Sequence, residues 1–385
     1  MSRKGSGMRI CNYNSRMVMN LPNLVSFIRE LVECESPSDD PAAIARFTSL
    51  FAERVSDIAE CRLIGTHLQC EFKLPGPSRR KPGQILALGH SDTVWPMGTL
   101  RHMPWREEKG RLWGPGVLDM KAGLAFFVFA MRAIRDSGQP VARKVMLQLN
   151  SDEEVGSPSS RALTEREARR SAAVLVLEPG TGLEGKLKTA RKGVGGFRVV
   201  AHGKSSHAGV DFGAGASAID ELAHQIEKIR AFTNLARGIT VNTGIVSGGT
   251  RTNVVAAEAI AEIDFRIPRL RDYAVLERKF RALRPRDKRC RLEIAGGLNR
   301  PPMERTPGIA TLFKTAQRLA RDLGVALEES ATGGGSDGNF TAALGIPTLD
   351  GLGAVGEGAH ALHESILIDR MADRAALLAK LVPAI

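Results

Sequence analysis

The sequence predicts an α/β protein with a mainly parallel sheet, interrupted by a second, α+β unit, and three observations carry that expectation. Short apolar runs at 85–88 (ILAL), 145–149 (VMLQL) and 174–177 (VLVL) each end abruptly in polar residues, which suits strands buried on both faces better than helices. Between the first two lies 120–135, MKAGLAFFVFAMRAIR, apolar nearly all round and closed by Gly138, as expected of a helix that covers such a sheet. From about 192 to 298 the pattern becomes strand 194–201, helix 216–231, strand 239–246, strand 256–266, helix 272–283 and strand 289–295. That βαββαβ order is the ferredoxin-like arrangement.

The elements outside this unit follow in order. Residues 22–34, PNLVSFIRELVEC, place apolar side chains at helical spacing before the break at Glu35-Ser36-Pro37-Ser38, and a second helix spans about 41–55. The helix-rich segment 308–381 resumes the α/β pattern, with Gly345-Ile346-Pro347-Thr348 leading into another apolar strand. The expected division is a catalytic domain in two parts, 1–191 and 299–385, with 192–298 inserted between them. At 385 residues the chain exceeds the size at which one core keeps growing.

Composition narrows the function. With 43% hydrophobic and 25% charged residues, the chain reads as an ordinary globular protein. The basic opening segment 1–20 has no continuous apolar stretch of the kind a secretory signal needs, and no later run reaches the length of a membrane span. A cytoplasmic protein is expected. Cys11, Cys34, Cys61, Cys70 and Cys290 are odd in number and form no C-x-x-C pair, which argues against disulfides and thiolate metal sites. A net charge of +12 raises the question of nucleic acid, but the arginines are spread along helices, with only two tyrosines and three tryptophans to stack bases. A solvated basic surface that favours encounter with anionic substrates is the expectation.

In open α/β sheets ligands gather beyond the carboxyl ends of the strands. The three predicted strands end in Gly89-His90-Ser91-Asp92, Asn150-Ser151-Asp152-Glu153-Glu154 and Glu178-Pro179, and Asp119 sits at the start of the apolar helix. One histidine and several carboxylates in one cleft repel unless a cation separates them. A pair of divalent ions resolves this. Asp119 would bridge them, with His90 and Glu178 on one ion and Glu154 with a late histidine on the other. Glu153 would then be free to take a proton from the attacking water and pass it to the leaving amine, and Asp92 would orient the His90 imidazole.

His90-x-Asp92, Gly114-Pro115-Gly116 followed by Asp119-Met120-Lys121, Asp152-Glu153-Glu154-Val155-Gly156-Ser157 and Leu177-Glu178-Pro179 stand in the order of a known family. From about residue 22 onward the chain resembles the dizinc metallopeptidases and aminoacylases that include glutamate carboxypeptidase, acetylornithine deacetylase and succinyl-diaminopimelate desuccinylase. The resemblance implies a zinc-peptidase-like catalytic domain holding two zinc ions, or cobalt or manganese, and an inserted lid through which a homodimer forms. It implies His360 as the late ligand, from His360-Ala361-Leu362-His363-Glu364; His363, where the family usually carries an acidic residue, is the alternative. It further implies that His207, in the inserted unit, serves the partner subunit's site by donating to the oxyanion. Asn253, Arg266 and the loop containing Gly334 and Gly335 would hold a substrate carboxylate.

The expected activity is therefore release of a C-terminal amino acid, glutamate or similar, from a small peptide. An N-acyl amino acid deacylase of the same chemistry is the enzymatic alternative, and an amino-acid or peptide-binding protein without catalysis the alternative from another class. No nucleic acid and no membrane are expected as partners.

Overall fold

The computed structural model describes residues 20–385; Cys11 and residues 1–19 of the basic opening segment lie outside the described residues. Six strands form the main sheet in the order Ala59–Ile64, His67–Phe72, Val145–Asn150, Gln84–His90, Ser171–Val176 and Thr348–Leu349. Gln84–His90 runs parallel to both of its neighbours, and Ser171–Val176 runs parallel to Thr348–Leu349. The first two strands form an antiparallel hairpin at one edge, turning at Gly65-Thr66. The sequence reading missed this hairpin because Ala59–Ile64 places Glu60, Arg62 and Leu63 largely in solvent and so offers no apolar run. Across it Cys61 and Cys70 face each other as free thiols, with Sγ atoms 3.1 Å apart.

The expected covering helix exists as Ala122–Asp136, with Leu124, Phe126, Phe127, Met131 and Ile134 fully buried. It packs against the C-terminal helix Met371–Ala384 and starts at Ala122 rather than 120. Asp119 and Met120 depart from helical backbone angles (φ −115°, ψ 92° and φ −134°, ψ 31°), and the peptide between them is cis. Helices Leu21–Glu33 and Pro41–Val55 follow the predicted spacing, and each begins with a proline in its first turn. Asp40 caps the second helix by accepting from the Ala42 and Ala43 N–H groups at 3.0 Å each.

The segment read as ferredoxin-like forms a four-stranded antiparallel sheet in the order Thr240–Gly248, Glu258–Ile267, Gly193–His202 and Arg291–Arg300. Helices Ala218–Arg230 and Leu270–Arg281 lie on one face. Along Glu258–Ile267 the residues Ala259, Ala261, Ile263, Phe265 and Ile267 turn inward and Glu262, Asp264 and Arg266 outward, as a period of two demands. This unit has its own core, in which Phe197 stacks on Phe280 at 4.1 Å and on Phe265 at 5.6 Å between ring centroids. The last strand runs to Arg300, two residues beyond the expected boundary at 298.

Two smaller sheets were not expected from sequence. Leu187–Arg191 pairs in parallel with Glu329–Thr332, and Arg106–Glu108, Arg111–Trp113, Gly356–Glu357 and Ser365–Leu367 form a four-stranded sheet. Strands of two to five residues carry too little pattern to be seen in a sequence. Among the described residues no helix is long and apolar enough to cross a membrane.

Phe280 is fully buried, with Phe197 stacked on it and Phe232 edge-on at 5.3 Å between ring centroids. Phe280→Ala should lower unfolding stability by about 3–5 kcal/mol, the usual cost of deleting a core phenylalanine. Urea titration of the variant against the parent checks this, and a change below about 1 kcal/mol would show that the ring is not a core anchor.

Candidate active site at the carboxyl edge of the sheet

The parallel strands of the main sheet release their polar residues at the same edge. His90 ends its strand, and its Nδ1 lies 2.8 Å from the Asp92 carbonyl oxygen. That acceptor requires Nδ1 to carry the proton and turns Nε2 toward the cleft. The sequence reading gave the task of orienting His90 to Asp92, and the nearest contact is made by its main chain, the carboxylate Oδ1 standing at 3.6 Å. The Asp92 carboxylate instead accepts from the main-chain N–H groups of Glu153 (3.2 Å) and Glu154 (3.1 Å) and from Ser38 Oγ (2.8 Å). It pins the acidic loop beside the histidine.

Asp119 stands between two sets of partners. Its Oδ1 is 3.2 Å from His90 Nε2, which is in turn 3.7 Å from Glu178 Oε1. Its Oδ2 is 3.4 Å from His360 Nε2, which is in turn 3.3 Å from Glu154 Oε2. Ligand-type atoms of His90, Asp119 and Glu154 lie within 4.8 Å of one another, as do those of His90, Glu153 and Glu178. His360 reaches this place from a left-handed backbone (φ 61°), uncommon for a residue with a side chain. His363 is exposed on the same turn.

Glu364 fixes the Asp119 segment. Fully buried, its carboxylate accepts from the N–H groups of Leu118 (2.8 Å), Gly116 (3.0 Å) and Asp119 (3.1 Å) and from Trp95 Nε1 (2.8 Å). One side chain thus ties the His360 loop to the Asp119 loop. Lys121, also buried, donates to the Cys34 carbonyl at 2.8 Å and anchors the other end of that segment to the first helix.

The electrostatics describe a site short of positive charge. Burial pushes Glu178 up to about 7, reinforced by Asp119 and opposed by Arg191. Burial likewise holds Glu153 well above the ordinary carboxylate range against the pull of Arg300. Burial would raise Asp119 too, but hydrogen bonds from His360 and His90 outweigh it and hold the group low. The Asp119 and Glu154 carboxylates raise His360 to about 10, and His90 is raised against its own burial by Asp119 and its neighbours. Glu154 Oε1 is buried with no hydrogen-bond partner. Protons on two imidazoles stand where cations would stand, and an orphaned carboxylate oxygen points to a missing ligand. The two imidazoles and three carboxylates of His90, Asp119, Glu154, Glu178 and His360 are donors suited to zinc, cobalt or manganese.

The residues expected to hold substrate lie apart in one chain. His207 and Asn253 are both exposed in the inserted unit, joined by a hydrogen bond from the Ala208 N–H to the Asn253 carbonyl at 3.0 Å. Arg266 forks onto Asp264, at 3.0 Å for each contact, rather than reaching the Gly334–Gly335 loop. Two arginines that the sequence reading passed over hold that loop. Arg191 donates to the carbonyls of Gly334 (3.2 Å) and Gly335 (2.9 Å). Arg300 donates to Asp337 Oδ1 (2.6 Å), Ser157 Oγ (2.8 Å) and Glu153 Oε1 (2.9 Å). Nothing in the local pattern separates these two from the many exposed arginines; only their places at strand ends could have drawn notice.

A parallel sheet whose edge gathers imidazoles and carboxylates on both oxygens of one aspartate belongs to a metallohydrolase. Residues 86–384 match peptidase family M20/M25/M40, and the chain belongs to that family, whose members hydrolyse amide bonds. It is 27% identical over 345 residues to carboxypeptidase G2 of Pseudomonas sp. (strain RS-16), covering 88% of this chain and 83% of that protein. It is 27% identical over 324 residues to the succinyl-diaminopimelate desuccinylase of Acidovorax ebreus, covering 76% and 78%. Its fold is that of aminopeptidase PepT from Bacillus cereus, with a TM-score of 0.77 at 23% identity over 95% of this chain and 98% of that one.

Because His360 is raised from 6.5 to about 10 in the folded protein without metal, its proton stabilises that form fully below pH 6.5, and this contribution is lost as pH rises through about 10. In metal-free protein the stability advantage of the parent over His360→Gln should therefore shrink between pH 7 and 10. Urea denaturation in the presence of chelator reads this, and an advantage that grows with pH would contradict the assigned contacts.

Proposed function

We propose that the chain is a dizinc carboxypeptidase that releases a C-terminal amino acid, glutamate or similar, working as a homodimer in the cytoplasm. The observation that carries the reading is Asp119, with one oxygen facing His90 and Glu178 and the other facing Glu154 and His360. Two divalent ions held by these five residues would polarise the scissile carbonyl and acidify the attacking water. The similarity to a carboxypeptidase across most of both chains supports a substrate ending in a free carboxylate.

Glu153 lies beside the ligand set without being needed in it. Arg300 holds its Oε1, and the site's burial raises its proton affinity, so it can accept a proton from water and return it to the leaving amine. Its main chain is fixed by Asp92, which limits its motion during the transfer.

The substrate's carboxylate would meet the loop containing Gly334 and Gly335, with Asn253 and Arg266 brought by a lid, and Arg266 would exchange Asp264 for the substrate. His207 Nδ1 accepts from the N–H groups of Gly209 (3.1 Å) and Val210 (3.2 Å), so the neutral ring carries its proton on Nε2 and presents a donor to its surroundings. That donor suits a developing oxyanion in the partner subunit. Val210, Phe212, Ile219, Ile245 and Val246 are exposed on the same unit, and Thr240–Gly248 is an unpaired sheet edge, both features of a surface that pairs with a second copy.

Metal-reconstituted protein should hydrolyse N-acyl and N-aminoacyl glutamates, with the α-amide of the same compounds at least about tenfold slower in kcat/KM. Glu153→Gln should lose at least about 10²-fold in turnover while retaining its metal. Equal rates on acid and amide would remove the carboxylate requirement; preference for short acyl over aminoacyl groups would identify a deacylase, as the desuccinylase relative allows.

Mixing Glu153→Gln with His207→Ala should restore part of the activity through hybrid dimers that contain one intact composite site. No recovery after proven subunit exchange would confine His207 to its own chain.

A further inference from the structure

We infer that Arg191 is a positioning residue that sets the direction of the Gly334–Gly335 loop and couples it to Glu178; the inference deepens the carboxypeptidase reading and rests on it for the role of that loop. Arg191 ends the strand Leu187–Arg191, is 5% exposed, and engages its whole guanidinium. Nε lies 2.7 Å from Asp350 Oδ2 and Nη2 lies 2.9 Å from Asp350 Oδ1. Nη2 also stands 3.8 Å from Glu178 Oε2, whose other oxygen faces His90. Nη1 donates to the carbonyls of both Gly334 and Gly335. A guanidinium has five N–H groups in a fixed fork, and each of its three nitrogens has a hydrogen-bond acceptor here.

The consequence for the loop follows from peptide geometry. In a trans peptide the C=O and the following N–H point to opposite sides. With the Gly334 carbonyl drawn onto Arg191, the Gly335 N–H points away from the guanidinium, and no described residue accepts from it. The next N–H, of Ser336, is taken by Asn339 Oδ1 at 3.0 Å, and Ser336 Oγ closes back onto Asp350 at 2.7 Å. Gly335 itself is held close: a Cβ there would lie 2.8 Å from Arg300 Cδ and 3.0 Å from Val194 Cγ2. Arg191 thus turns the Gly335 N–H away from itself on a loop held from both sides, where a substrate carboxylate would use it. A lysine would keep the charge near Glu178 and Asp350 but could not reach an acid and two carbonyls at once.

The test compares Arg191→Lys with the parent in two measurements. Hydrogen exchange of the peptide spanning 332–337, followed by mass spectrometry without substrate, should speed up at least about fivefold, while exchange in Gln84–His90 and Ser171–Val176 stays the same. KM for a free-acid N-acyl glutamate should rise at least about tenfold with kcat within about threefold. Asp350→Asn, which removes charge but keeps an acceptor, should show the same signature at smaller size and replaces the first variant if that one does not fold. Unchanged loop exchange overturns the proposal, as does faster exchange with an unchanged KM, which would mark an ion pair that only stabilises the fold. If the parent hydrolyses no free-acid amide, the carboxypeptidase reading fails by itself, and loop exchange alone then decides on Arg191.

Discussion

Mutual repulsion among buried carboxylates is the constraint on which the rest of this structure depends. Asp92, Asp119, Glu153, Glu154 and Glu178 converge where water cannot screen them, and each pair of like charges a few ångströms apart in a low-dielectric setting is costly. The folded chain reduces that cost in three ways. It supplies main-chain N–H groups to Asp92 and Glu364, guanidinium groups to Glu153 and Glu178, and imidazolium protons to Asp119. What remains uncompensated is what a pair of divalent cations would neutralise.

The same constraint explains why the supporting residues come from so far away in sequence. The loop bearing two successive glutamates closes on itself through the Gly156 N–H to the Glu153 carbonyl and the Ser157 N–H to the Asp152 carbonyl, and Asp92 and Arg300 fix it further from elements 60 or more residues away. The Asp119 segment departs from helical backbone and would leave several N–H groups without partners; Glu364, some 245 residues later, accepts three of them. The Glu364 contacts join the part of the α/β domain before the inserted unit to the part after it, and Arg300, at the end of the inserted sheet's last strand, ties that strand to the acidic loop. The halves are held together at the site as much as in the core.

How much could be read from sequence follows from the same physics. Buried parallel strands announce themselves as short apolar runs with polar ends, so the sheet and the residues that follow each strand, His90, Glu153, Glu154 and Glu178, were legible. The inserted unit was legible because its strands alternate and its helices are amphipathic. The edge hairpin and the short strands were not, since Ala59–Ile64 faces solvent at most positions and the others are too short or too interrupted by polar residues to carry an apolar signal. Asp92 was placed correctly beside His90, yet only coordinates could separate the work of its carbonyl from that of its carboxylate. Arg191 and Arg300 were invisible among 54 basic residues, because what distinguishes them is burial.

His90, Glu154 and Glu178 stand at or just beyond strand ends of the main sheet, and Asp119 and His360 reach them from two loops that Glu364 ties together. His207, Asn253 and Arg266 sit on a separate sheet with its own core, and the first two are exposed. The two units have separate hydrophobic cores. Arg191 ends a strand of the α/β domain, while Arg300 ends the last strand of the inserted sheet and reaches across to Asp337 and Glu153. Through Arg300, packing in the inserted sheet bears on the position of Glu153 and of the acidic loop, so the two cores are distinct but their effects on the site are not.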